Sequence, residues 1–120
     1  MKKILIVEDE PDILETIKYR FEAEGYEVIT AEDGQAGLTM VKSEGPDLVI
    51  LDEMMPKLNG YKMCALLKAD ARFKSVPVII YTARLVTDEE DLKKNIGMDA
   101  IICKTADFSE LLSKVRQLSG

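Results

Sequence analysis

The sequence predicts an α/β fold: one (βα)5 unit spanning residues 1–120, with a doubly wound parallel sheet covered by helices on both faces. Three observations carry this prediction. Unbroken apolar runs of strand length recur at residues 4–7 (ILIV), 48–51 (LVIL), 78–81 (VIIY) and 100–103 (AIIC). Segments with helical periodicity and recognisable start and stop signals separate them. Strands apolar on both sides, alternating with helices, belong to parallel sheets joined by right-handed crossovers.

Taken in order, the first run leads through Pro11, a residue suited to a first helical turn, into Ile13, Ile17 and Phe21 at i, i+4 and i+8, and Gly25 stops that helix. Residues 26–31 form a weaker strand, interrupted by Glu27 and Thr30, and read as a sheet edge. A second helix over 35–43 is closed by Gly45 and Pro46, and a third over 61–69 places Cys64, Ala65 and Lys68 on the face of Tyr61. Thr87 and Glu90 have capping-box spacing for a fourth helix that Gly97 ends. Asp107 and Glu110 suggest a cap for a fifth, which carries Leu111, Leu112, Val115 and Leu118.

Composition excludes several function classes. At 120 residues and 47% hydrophobic, the chain has the size and core of one domain. The net charge of -6 argues against a nucleic-acid surface, which concentrates Lys and Arg, so no direct nucleic-acid contact is expected. There is no His, and Cys64 and Cys103 each lie alone inside an apolar segment, which excludes an ordinary zinc site and points to buried structural thiols. The opening MKKILIV is too short for a signal peptide or membrane span, so no membrane insertion and a cytoplasmic location are expected.

In parallel sheets, ligands bind beyond the carboxyl ends of the strands. The residues just past each run are Glu8 and Asp9, then Glu32 and Asp33, Asp52, Thr82, and Lys104. If the first and third strands are neighbours, Glu8, Asp9 and Asp52 crowd one rim, which is unfavourable without a cation. An all-oxygen donor set selects a hard ion such as Mg2+. A hydroxyl and an ammonium at Thr82 and Lys104 suit phosphoryl oxygens, and Asp52 is then placed as a nucleophile. Taken singly, each residue has a plainer use: Asp52 as a turn former, Asp9 as a cap of the Pro11 helix. Their conjunction at the exits of different strands is what points to a site.

This ordered set, Glu8-Asp9, Asp52 within LDEMMPKLNG, Thr82-Ala83 and Lys104, resembles the receiver domain of two-component response regulators over essentially the whole chain. The resemblance implies a flavodoxin-like strand order 2-1-3-4-5. It implies that Asp52 accepts a phosphoryl group as an acyl phosphate from a sensor histidine kinase or phosphotransfer protein. By the same resemblance Asp9, Asp52 and the backbone carbonyl of Met54 hold Mg2+, with Glu8 acting through a coordinated water. Thr82, the amide of Ala83 and Lys104 bind phosphoryl oxygens. Pro56 and Gly60 fit the loop after the acceptor, and Met54 and Arg84 flank the reaction centre and influence the access of water. Such a domain turns over only its own phosphoryl group. It switches contacts with a downstream target protein. With nothing after residue 120, the expected output is protein–protein contact or phosphate relay; for a fragment the output lies elsewhere.

Two departures fall in the region that communicates phosphorylation outward: Ile101 where the family usually has an aromatic, and Thr105 where it usually has Pro. A non-proline bond strongly disfavours cis, so Lys104–Thr105 is expected to be trans. Rival readings fare worse. An aspartate-nucleophile Mg2+ phosphohydrolase needs a second carboxylate where Met54 stands, and a flavin carrier needs a phosphate-cradling loop where EDEPD would repel phosphate. A receiver-like scaffold that binds a partner without phosphorylation has no use for the acidic set.

Overall fold

The computed structural model describes residues 2–53, 55, 58–83 and 97–119. Within them, β1 (Lys3–Val7), α1 (Pro11–Ala23), β2 (Glu27–Ala31), α2 (Gly34–Glu44), β3 (Leu48–Asp52), α3 (Gly60–Ala69), β4 (Val78–Thr82), β5 (Ala100–Cys103) and α4 (Phe108–Ser119) follow in order. The expected helix at 87–96, with its Thr87 and Glu90, lies outside the described residues; Gly97, its expected stop, has φ +88°. All strand pairs are parallel and the order is β2-β1-β3-β4-β5. That is the order the resemblance implied, with the weak second strand at an edge.

Strand alternation divides the core into two layers. Ile4, Ile6, Ile50, Ile79 and Ile102 face α1 and α4, where Leu14, Ile17, Phe21, Leu111 and Val115 meet them. Leu5, Val7, Val49, Leu51 and Ile80 face Val41 of α2 and Met63, Cys64 and Leu67 of α3. At about 1.5–3 kcal/mol for each large aliphatic side chain taken from water, these two layers supply the main drive to fold. β3 is buried along its whole length, which is why LVIL shows no alternation.

Several expectations need correction. The buried stripe of α1 is Leu14, Ile17 and Phe21, with Ile13 only partly buried. On α3 the core face is Met63, Cys64 and Leu67; Ala65 is exposed, and Lys68 instead reaches out to donate to Lys74 O, Val76 O and Asp99 Oδ2. Cys64 is buried as expected, but Cys103 is only half-buried, since β5 is the other edge strand and its residues alternate. Asp9 is not a helix cap: Glu10 holds that position without a side-chain bond. Asp33, at the end of β2, does cap α2, accepting from Ala36 N at 2.8 Å. No described helix is long and apolar enough to cross a membrane.

The glycine that opens α3 lets that helix press on the end of β3. A Cβ on Gly60 would lie 2.2 Å from the Asp52 carbonyl oxygen and 3.1 Å from its carbon. Both neighbours are backbone, so no rotamer change relieves the clash. Gly60→Ala is expected to cost about 3 kcal/mol in denaturant unfolding, at the upper end of ordinary overpacking. Wild-type stability in that variant would show that α3 does not press on β3.

Candidate functional site

The carboxyl ends of β1, β3 and β4, with the residues just beyond β5, converge on a cleft of about 740 Å3 whose walls include Asp9, Asp52, Glu53, Tyr61, Ala83 and Lys104. β1 and β3 are neighbours, with Val7 opposite Leu51, so Glu8 and Asp52 emerge side by side. Both are buried, 2% and 5% exposed, whereas Asp9 faces solvent. One carboxylate oxygen from each of Glu8, Asp9 and Asp52 lies within 4.8 Å of the other two. Lys104 joins the group from beyond β5, its Nζ 2.8 Å from Glu8 Oε1 and 3.1 Å from Asp52 Oδ1. The Asp9 amide donates to Glu8 Oε2 at 3.1 Å.

Crowding sets the protonation of this cluster. Burial, and then a hydrogen bond to Asp52, push Glu8 up to about 8 against the pull of Lys104. Burial also acts to raise Asp52, but hydrogen bonds from Glu8 and Lys104 outweigh it and hold the group below its ordinary value. Lys104 loses solvation as well, yet its bonds to Glu8 and Asp52 raise it, so the ammonium stays charged. At neutral pH the pair therefore keeps one proton on Glu8 and a full charge on Asp52. An all-oxygen cluster that retains a proton this far above the carboxylate range is short of positive charge. That fits a hard divalent cation.

Thr82, 1% exposed, ends β4, and its carbonyl accepts from the Lys104 amide at 2.6 Å, which ties the two strand ends together. Ala83 follows on the cleft wall. The structure thus brings together Glu8, Asp9, Asp52, Ala83 and Lys104 around one cleft, with Thr82 at its edge. Glu32 and Asp33 stand at the end of β2 and are not among the cleft's lining residues. Met54, Pro56 and Arg84 lie outside the described residues. Sequence reasoning missed Glu53, 4% exposed, whose carboxylate accepts from the Tyr61 hydroxyl at 2.6 Å. The two become neighbours only because α3 folds back against β3, and the one signal available was the acidic residue following Asp52.

A five-stranded parallel sheet with a carboxylate cleft at its switch point defines a flavodoxin-like α/β protein. Residues 4–116 match the family model of the response regulator receiver domain, and the chain belongs to that family. It is 38% identical over 117 residues to the probable transcriptional regulator ycf27 of Cyanophora paradoxa, covering 98% of this chain and 48% of that protein. It is 35% identical over 118 residues to the DNA-binding dual master transcriptional regulator RpaA of a Synechocystis strain, covering 98% of this chain and 49% of that protein. Among solved structures, response regulator protein TrrA from Thermotoga maritima in complex with Mg(2+)-BeF superposes with a TM-score of 0.85 at 35% identity, covering 98% and 99% of the two chains.

The chain therefore spans about half the length of the curated relatives it matches. This corrects the expectation of no nucleic-acid contact. Relatives across this domain are transcriptional regulators, one of them named as DNA-binding. The charge of -6 describes these 120 residues alone and argues against a basic surface only on them.

Proposed function

We propose that this chain is the phosphoacceptor of a two-component system, with residues 1–120 forming one receiver unit and Asp52 taking the phosphoryl group. The observation that carries this reading is Asp52 itself: buried at the end of β3, paired with Lys104 at 3.1 Å, and facing Glu8 and Asp9. A nucleophilic carboxylate must be charged, and hydrogen bonds from Glu8 and Lys104 hold this one below its ordinary value.

An oxygen of Asp52 attacks the phosphorus of a phosphohistidine on a sensor kinase or phosphotransfer protein. The P–N bond breaks, its electron pair returns to the imidazole, and that ring takes up a proton. Lys104 pairs with one phosphoryl oxygen, while the Thr82 hydroxyl and the Ala83 amide donate to others. Asp9 and Asp52, with the Met54 carbonyl, would hold Mg2+ directly and Glu8 through a coordinated water; when bound, the ion neutralises charge on the transferred phosphoryl. Hydrolysis reverses the state: water attacks phosphorus, the P–O bond to Asp52 breaks, and the carboxylate is restored. The protein turns over its own phosphoryl group and no other substrate, and the two states differ in the protein contacts they offer. A kinase donor is charged by ATP, which carries a cytoplasmic location with it.

Incubation with acetyl phosphate and Mg2+ tests the reading. A transient, hydroxylamine-labile label on Asp52 is expected. Multiple turnover of phosphomonoesters would instead make the protein a hydrolase, and no label at all would leave a binding scaffold.

A further inference from the structure

Lys104 is a wall of two cavities. Besides the carboxylate cleft it borders a groove of about 340 Å3 between α1 and α4, whose other walls include Ile13, Thr16, Arg20, Tyr81 and Phe108. Tyr81 stands directly opposite Asp52 in the sheet register and points, with Ile79, into the α1–α4 layer. Its ring lies beneath the ammonium, with Lys104 Nζ 5.9 Å from the ring centroid. The lysine is thus held on one side by Glu8 and Asp52 at 2.8 and 3.1 Å and on the other by an aromatic face.

We propose that Tyr81 is a positioning residue for the phosphoryl-binding lysine: its ring forms the floor that keeps Lys104 over the cleft and links occupancy of that cleft to the α1–α4 groove. This rests on the receiver reading above and adds a residue to it. Without a ring, the four-carbon arm of Lys104 has open groove beneath it and a second rotamer family to populate. With it, a half-buried cation rests on a ring face, an interaction strengthened by partial desolvation. A phosphoryl group on Asp52 adds negative charge on the cleft side and draws the ammonium off the ring, which alters the surroundings of Thr16 and Phe108. Arg20, stacked 4.7 Å from the Phe108 centroid, lies at the far wall of the same groove. Ile101, which stands where the family's usual aromatic would be, is partly buried against the opposite layer of the core. The ring close to the phosphoryl-binding lysine therefore faces the other side of the sheet.

Two variants separate the ring from the hydroxyl and from bulk packing. Tyr81→Phe is expected to take up label from acetyl phosphate at the wild-type rate, and Tyr81→Leu roughly fivefold more slowly, in line with loss of a partly desolvated cation–π contact. The melting increment given by Mg2+ should be the same in both, because the metal carboxylates are untouched. Beryllofluoride should shift the amides of Thr16 and Phe108 in wild type and in Tyr81→Phe, and much less in Tyr81→Leu. If Tyr81→Leu does not fold, Tyr81→Met is expected to show the same slowing. Wild-type labelling in Tyr81→Leu, equal slowing in Tyr81→Phe, or loss of the Mg2+ increment along with the label each overturns the proposal while leaving the receiver reading standing. Absence of label in the wild-type protein overturns both.

Discussion

Asp52→Asn is expected to acquire no label from acetyl phosphate and Mg2+ while remaining folded. The side chain keeps its shape, so β3 and its contacts survive, but an amide oxygen is not a nucleophile of carboxylate strength. The flanking groups do not replace it. Glu8 is 2% exposed and paired with Lys104 at 2.8 Å, and Asp9 faces solvent rather than the floor of the cleft. Loss of one charge relieves the crowding against Glu8, which offsets part of the cost of removing one partner of the buried Lys104 pair, so the melt should remain cooperative. Incorporation is read by phosphate-sensitive electrophoresis or intact mass, and folding by the cooperativity of the melt. Stoichiometric label on the folded variant means that another residue is the acceptor, and the assignment of the site then fails.

The sheet was legible because its inner strands are covered on both faces and so carry no polar residue to hide the run. The order of those strands was not: periodicity records how deeply a strand is buried, not which strand lies beside it, and it came from the family resemblance. This is also why Cys103 was misjudged. A run such as AIIC looks buried on both faces, but β5 is an edge strand and alternates. Helix faces were off by one residue on α1 and α3, where several apolar positions compete and only the rotation of the packed helix decides between Ile13 and Leu14.

At the site, Glu8, Asp52 and Lys104 were readable because each ends or follows a strand, and in a parallel sheet the strand ends meet. Glu53 and Tyr61 were not, because their pairing depends on how closely the start of α3 approaches the end of β3, which only the Gly60 contact reveals. Tyr81 was hidden differently, as the last apolar residue of VIIY, where nothing in the sequence tells which layer its ring enters. The Lys104–Thr105 bond is trans, as a non-proline bond should be.

The metal-free protein is expected to lose stability as pH rises from 5.5 to 7.5, and Mg2+ to restore it. Glu8 moves from 4.5 in the unfolded chain to about 8 in the folded one. In that interval the folded state binds a proton that the unfolded state has released, so unfolding is favoured as pH rises. The stabilising contribution is fully present below about 4.5 and is gone above about 8. Asp52 is shifted downward, so its contribution falls away only under acid, below 3.8, and does not enter this window. The chain has no His, and Cys64, pushed up to about 12, adds a pH dependence only above its unfolded value of 9.0. A shift of one unit is worth about 1.4 kcal/mol, and with solvent in an open cleft screening part of it, the expected loss is about 2 kcal/mol. A divalent cation competes with the proton for the same oxygens, so it binds more tightly at pH 7.5 than at 5.5 and stabilises by RT ln(1 + [L]/Kd), about 1.4 kcal/mol at ten times Kd. Asp9→Ala should abolish that increment without a large cost in metal-free stability, since it removes one of the crowded charges. Thermal melts at the two pH values, with and without Mg2+, decide the matter. A metal-free protein as stable at pH 7.5 as at 5.5, or an increment that survives Asp9→Ala, would show that the three carboxylates are not a single cation site.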